Sequence, residues 1–213
     1  MRLNKINKGI ACLECVKNNS TCCTGSCTRF ATLHDAVRLA KATGKKIDDI
    51  VAFLPVESWE TNPRYAQQRV GNKAIMCDYF VLIRKGKLLM LKKGKDCIFL
   101  GKGNLCEAYR GELMFCKVFP FWYFMDRGKI QLAFDPCGVD CPAAKGNRDR
   151  NREILRGRDR ITDEDTRLIG QSAKELKERF ARYREEMKAY EGYVDRLEKG
   201  EKPGDIAKDL GLI

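Results

Sequence analysis

The sequence predicts an α+β fold: a small, irregular cysteine-rich domain with a short antiparallel sheet and helices, followed by a long C-terminal helix. Three observations predict it. The chain has 11 cysteines, and none of them lies in the last 72 residues. Two short apolar runs, Phe80 to Arg84 and Leu88 to Leu91, are joined by Lys85-Gly86-Lys87, the pattern of paired strands around a turn. From Ala173 to Leu197 the apolar residues recur three and four apart, the period of a helix.

Taken in order, residues 4–30 read as a cysteine-rich loop segment, with Gly25 and a polar run from Lys17 to Thr21 favouring turns. Thr32 to Ala42 reads as a helix. Thr32 can cap it with Asp35 in the reciprocal position, and Gly44 ends it. Ile47 to Leu54 reads as a second short helix stopped by Pro55. Cys97 to Leu100 is expected to extend the small sheet, and Gly101 to Asn104 to turn. One or two helical turns are expected between Cys106 and Cys116. Asp135 to Pro142 is compact turn chemistry. Arg148 to Arg160 is basic and loosely patterned.

The last long element opens at Ser172, with Glu175 completing a capping box, and closes at Gly200. Its seam of Ala173, Leu176, Phe180, Tyr183, Met187, Tyr190, Val194 and Leu197 is an a/d heptad pattern. Two readings fit it: a coiled-coil partner site, or a face docked on its own domain. Tyrosines suit the second better, because each needs a partner for its hydroxyl. The expected division is a cysteine-cluster domain over residues 1–145, then a basic linker and helical appendage over residues 146–213.

Cysteine chemistry depends on the compartment. The N-terminal Met-Arg-Leu-Asn-Lys-Ile-Asn-Lys has charge but no apolar stretch behind it, and the run from Val118 to Met125 is too short to span a bilayer. The expected location is the cytoplasm, with no membrane partner. Thiols stay reduced there, so many cysteines point to metal ligation or redox chemistry. The formal net charge is +12, and residues 1–142 hold 23 Lys+Arg against 13 Asp+Glu. The positive surplus therefore coincides with the cysteines. A four-thiolate metal site is negative overall, and neighbouring cations favour the thiolate form.

The spacing identifies candidate ligands. Cys12 and Cys15 form a C-x2-C pair able to chelate from one tight loop. Cys22 and Cys23 are adjacent, so their side chains diverge toward separate roles, and Cys27 stands in the same loop. Cys97, Cys106 and Cys116 are too far apart for one chelating loop, so each enters a site from its own piece of backbone. Cys137 and Cys141 form another close pair flanked by prolines. Cys77 reads as a buried core thiol. His34 is the one histidine, inside the first helix, and reads as structural. All-sulfur ligation suits zinc or an iron–sulfur cluster and disfavours magnesium or calcium. Spacing alone does not separate the first two.

The pattern across residues 12–142 resembles the YkgJ-type cysteine-cluster family, a zinc- or iron-chelating domain with a CxxCxxCC-type motif that also occurs in flagellin lysine N-methylases. Cys12-x2-Cys15 followed by Cys22-Cys23 carries the N-terminal part of the resemblance. Cys97-Ile-Phe-Leu100, the turn from Gly101, Cys106-Glu-Ala-Tyr109 and Cys116-Lys-Val-Phe-Pro120 carry the central part. The chain departs from the family pattern at Glu112-Leu113, where an Arg-Pro pair is usual. The resemblance implies a metal centre and favours a [4Fe–4S] cluster over zinc.

The expected function is thus a cysteine-ligated metalloprotein with one or two [4Fe–4S] clusters, in electron transfer, metal handling or as a subunit of a redox complex. Two alternatives stand beside it: a protein lysine N-methyltransferase-like enzyme, and a zinc-stabilised binding module. No phosphate-binding glycine loop, dinucleotide fingerprint or methyl-donor motif is visible. A protein partner is expected through the C-terminal helix or the basic surface. Nucleic acid is disfavoured, because Asp149, Glu153 and Asp159 interleave with the arginines of residues 148–160. The aromatic run from Val118 to Met125 reads either as water-excluding cover for the metal or as ordinary core.

Overall fold

The computed structural model of the chain describes residues 29–55, 67–76, 86–92, 96–102, 106–108, 111, 113–135 and 147–213. Among the described residues it is α+β, with seven α-helices, the long C-terminal one included, and three two-stranded antiparallel sheets.

Helix α1 (Leu33–Thr43) forms where the capping signals predict. Thr32 accepts from the Asp35 N–H, Asp35 accepts from the Thr32 N–H, and Gly44 ends the helix in the left-handed region. Its buried face is Leu33, Ala36, Val37 and Leu39. The next expectation needs correcting. Only Ile47–Ile50 is helical (α2). Val51–Pro55 is strand β1, and Val51 already has extended dihedrals. A short apolar run suits a buried strand as well as a helix. Here a distant partner decides: β1 pairs in register with β4 (Lys87–Leu91), from Val51 opposite Leu91 to Pro55 opposite Lys87.

β4 is the strand expected at Leu88 to Leu91. Phe30 bridges Met90 on its other side: the Ala31 N–H donates to the Leu89 carbonyl at 3.1 Å, and the Leu91 N–H to the Arg29 carbonyl at 2.9 Å. β4 is therefore flanked on both sides, which is why Leu88, Leu89, Met90 and Leu91 are all buried. The strand expected at Phe80 to Arg84 lies outside the described residues.

Two hairpins complete the sheets. β2 (Gln67–Val70) pairs with β3 (Lys73–Met76) around Gly71. β5 (Phe121–Asp126) pairs with β6 (Lys129–Phe134) around Arg127 and Gly128, both with positive φ. Two left-handed residues in a two-residue loop match the right-handed twist of the strands they join. Just before β5, Met114–Val118 forms the short helix α3.

The C-terminal third is helical. Residues expected as loosely patterned begin with α4 (Asn147–Leu155), followed by α5 (Asp163–Thr166). Asn151 seals the open edge of β6, accepting from the Phe134 N–H and donating to the Phe134 carbonyl, each at 2.9 Å. Helix α6 (Ala173–Glu198) has the expected Ser172–Glu175 capping box, and Gly200 follows its end with positive φ. Helix α7 (Pro203–Asp209) starts with proline at a position where no N–H is needed, and the Gly204 N–H docks it on Asp48 at 2.8 Å.

The heptad seam of α6 is occupied by its own chain. Leu176, Phe180, Tyr183, Met187, Tyr190, Val194 and Leu197 are all buried. Phe180 lies 5.6 Å from Trp122 and 4.9 Å from Tyr123, and Tyr183 meets Trp122 edge-on at 5.7 Å. Farther along, Tyr190 meets Phe30 edge-on at 5.5 Å. One apolar cluster runs from Phe30 through the β5–β6 hairpin to Ala207, drawing residues from both expected segments. Among the described residues no helix is long and apolar enough to cross a membrane.

Candidate metal centre

Three of the candidate ligands stand on separately anchored pieces of backbone. Cys97 opens a tight turn in which the Leu100 N–H donates to the Cys97 carbonyl at 2.9 Å. Leu100 then bridges Cys106, and the Glu107 N–H donates to the Phe99 carbonyl at 2.9 Å. Cys97 to Leu100 therefore meets the Cys106 segment through an isolated bridge, where an extension of the sheet was expected. Both cysteines are half-buried, and Phe99 between them points into the core. A Cβ at Gly101 would stand 2.7 Å from the Glu107 carboxylate, so a side chain there would require the Glu107 side chain to move. Gly111 seats the following loop on α1, with its backbone so close that a Cβ would lie 3.1 Å from the Leu39 Cα.

Cys116 stands on α3, within the stretch where a helical turn was expected, and is exposed. Its neighbours Met114 and Val118 are buried and fix the orientation of the turn. Both ends of α3 are tied to other elements. The Met114 N–H, a helix-start donor with no partner inside α3, donates to Asp35 Oδ1 at 3.0 Å. At the other end Gln171 Nε2 donates to the Lys117 carbonyl at 2.7 Å. Phe115 lies 6.0 Å from Trp122, and the Arg29 guanidinium sits 5.6 Å from the centre of the Phe115 ring.

One further residue meets this helix and another meets the chain just beyond it. Arg29, over Phe115, is two residues beyond Cys27. Asp135, two residues before Cys137, is buried and donates its N–H to the Pro120 carbonyl at 2.8 Å. Candidate ligands Cys12, Cys15, Cys22, Cys23, Cys27, Cys137 and Cys141, and the core thiol Cys77, lie outside the described residues. Among the described residues no group of three or more His, Cys, Asp or Glu side chains is gathered to hold a metal ion. The aromatic run behind Cys116 divides: Phe121 to Phe124 are core, and Met125 is at the surface.

Sequence reasoning read Asp35 only as a helix cap and did not single out Glu186. Both belong to a buried polar cluster behind α3. Arg38 donates to Glu186 Oε1 and to Asp35 Oδ1, each at 2.6 Å, and the Thr32 hydroxyl donates to Glu186 Oε2 at 2.9 Å. Nearby, Tyr193 Oη accepts from the Leu33 N–H at 3.0 Å and Tyr190 Oη from the Leu89 N–H at 3.2 Å. Burial pushes the Asp35 carboxyl above its ordinary range, with the Glu186 charge adding to it, against the opposing pull of Arg38 and the backbone donors. Burial works against the Arg38 charge, but Glu186 and Asp35 outweigh it and hold the guanidinium protonated. One signal was present: Glu186 sits beside the seam residue Met187, a charge at the margin of an apolar stripe. His34, on the same helix, is half-buried, and its Nδ1 has no hydrogen-bond partner among the described residues.

Comparison of the chain with family profiles, with characterised proteins and with solved structures gave no match.

Proposed function

We propose that this chain is a cysteine-ligated metalloprotein of the YkgJ type that carries one or two [4Fe–4S] clusters and works in electron transfer, metal handling or within a redox complex. The observation that carries it is the anchoring around α3. Cys116 stands exposed on a turn tied at both ends; Arg29, just after Cys27, lies over Phe115 of that turn, and Asp135, just before Cys137, bonds to Pro120, two residues past the turn's end. Thiolates from separate backbone pieces are the donor set that zinc or an iron–sulfur cluster takes. Cys97, Cys106 and Cys116 would contribute from the described part of the chain, with Cys12, Cys15, Cys22, Cys23, Cys27, Cys137 and Cys141 as the remaining candidates. The bound group would supply one-electron chemistry as a cluster, or rigidity alone as zinc.

Reduced thiols in such number fit a cytoplasmic location. A protein partner would meet the basic surface or the outward face of α6, because the α6 seam is filled by the chain's own core. The test is metal and acid-labile sulfide content, with an optical spectrum, on protein purified without oxygen. Iron with sulfide and a dithionite-bleachable visible band is the expected result. Zinc without sulfide would replace the redox role with a structural or binding one. The absence of both would overturn the metalloprotein reading.

A further inference from the structure

Asp35 accepts hydrogen bonds from three directions. Its Oδ2 accepts from the Thr32 N–H at 3.1 Å, and its Oδ1 from the Met114 N–H at 3.0 Å and from Arg38 Nη2 at 2.6 Å. The same Nη2 donates to Glu186 Oε2 at 3.0 Å, and Arg38 Nη1 donates to Glu186 Oε1 at 2.6 Å. One guanidinium nitrogen thus stands between two carboxylates, one on α1 and one on α6. The three side chains form a buried strut from α6 through α1 to the first turn of α3. The two carboxylate side chains are only 2% and 6% exposed, so water screens neither charge.

Charge in this strut does not balance, because two carboxylates share one guanidinium. The other cation on Glu186 is Arg182, whose Nε lies 3.9 Å from Oε1 on a side chain 48% exposed. That contact is too long and too wet to cancel a buried charge. Tyr190 and Tyr193 meet edge-on at 5.1 Å on the same helix, and burial pushes the Tyr193 phenol well above its usual value, so it stays neutral. From α3 the strut receives the Met114 N–H.

We infer that Asp35 is the proton-sensitive element of a latch between α1 and α6: with a proton on Asp35 the strut is charge-balanced and holds the two helices tightest, and loss of that proton leaves one buried negative charge in surplus and loosens the contact. The physical reason is that burial and a like charge at the same site both disfavour the ionised carboxylate. Burial and the Glu186 charge raise the Asp35 value against the pull of Arg38 and the two backbone donors. A raised folded-state value gives stability that is complete below the unfolded value of 3.8 and is lost as pH rises through the folded value. The latch is therefore tight in acid and looser toward neutrality.

The experiment measures amide hydrogen exchange of the full chain between about pH 4 and 8, a range that opens at the ordinary carboxylate value. Exchange is divided by the intrinsic rate at each pH, so the pH dependence of the chemistry cancels. Segments covering α1 and the middle of α6 are compared with the β5–β6 hairpin, in wild type, Glu186→Gln and Asp35→Asn. In wild type, protection of α1 and α6 is expected to fall about tenfold relative to the hairpin as pH rises, the change that one unit of pKa displacement represents. Glu186→Gln removes the surplus charge and Asp35→Asn the titrating group, so each is expected to abolish that fall. Asp35→Asn decides the comparison if Glu186→Gln does not fold. Wild-type protection that does not change with pH would overturn the latch without any variant. So would a fall shared equally by the hairpin, which is a loss of overall stability, or a fall that survives in the folded variants.

Discussion

At the residue scale, Arg150 ties the C-terminal segment together. Its guanidinium donates to Asp159 at 2.8 Å and to Asp165 at 2.7 Å, and it lies 5.2 Å from the centre of the Phe134 ring. Hydrogen bonding from Arg150 pulls the Asp159 carboxyl below its ordinary value. For Asp165, burial pushes upward, but Arg150 and the Thr162 donors prevail and its pKa is lowered. The sign follows directly. A depressed folded-state pKa contributes stability that is complete above the unfolded value and is lost as pH falls through the folded value. Asp35 works the other way: its raised pKa makes its contribution greatest below the unfolded value of 3.8 and smaller as pH rises through the folded value. Replacing Arg150 by Gln is expected to cost about 1 kcal/mol at neutral pH, a modest figure because the pairs are partly exposed. The same change should flatten the loss of stability on acidification below about pH 4, where carboxylates titrate. Urea midpoints measured from pH 3 to 7 check it, and an acid limb as steep as wild type would contradict the assignment.

At the scale of single elements, legibility followed the range of the deciding interactions. The caps of α1 and α6 were readable because Thr32 and Asp35, or Ser172 and Glu175, are three residues apart and complete each other locally. The stretch from Val51 to Leu54 was misread as helix because the deciding partner of its strand, Lys87–Leu91, is far away in sequence. The β5 strand was visible only as an aromatic run. The candidate ligands could be named from spacing, but the Asp35 contact to Met114 could not, since nothing near either residue signals the other. The α6 seam shows how one pattern supports two structures: heptad spacing serves a coiled coil or an internal face, and Trp122 and Tyr123 supply the second. Phe180 has no exposed surface. Replacing it by Ala is therefore expected to cost about 3–5 kcal/mol, the usual range for a buried aromatic. Lys177→Ala, on the exposed face, should change stability by less than about 0.5 kcal/mol. Denaturant unfolding with size-exclusion chromatography checks both. Loss of a dimer by Phe180→Ala without loss of protomer stability would mean that the seam serves a partner after all.

At the scale of the whole molecule, the expected division at residue 145 and the continuous core pull in different directions. A helical appendage would leave the cysteine-bearing part with its own closed core. Instead, α6 supplies Phe180 and Tyr183 against Trp122, Tyr190 against Phe30, and acceptors for the Leu33 and Leu89 N–H groups. Glu186 completes the buried charge cluster from the same helix, and α7 closes on α2 through Asp48. Removing residues 146–213 would expose those aromatic surfaces, leave two backbone donors without partners and leave Arg38 with one carboxylate in place of two. Each uncompensated buried donor costs about 1–3 kcal/mol. The lost aromatic burial adds several times that, against a total stability of only about 5–15 kcal/mol for a domain. A chain ending at residue 145 is therefore expected to lack near-ultraviolet dichroism and a cooperative unfolding transition, even when supplied anaerobically with the metal that the full chain binds. Metal-driven folding of that shorter chain would instead mean that ligation alone can organise the cysteine segments. The C-terminal helix would then be a cover added to a self-sufficient centre. The buried strut from Glu186 through Arg38 and Asp35 to Met114 argues for the first outcome, because it makes α6 part of what holds the Cys116 turn in place.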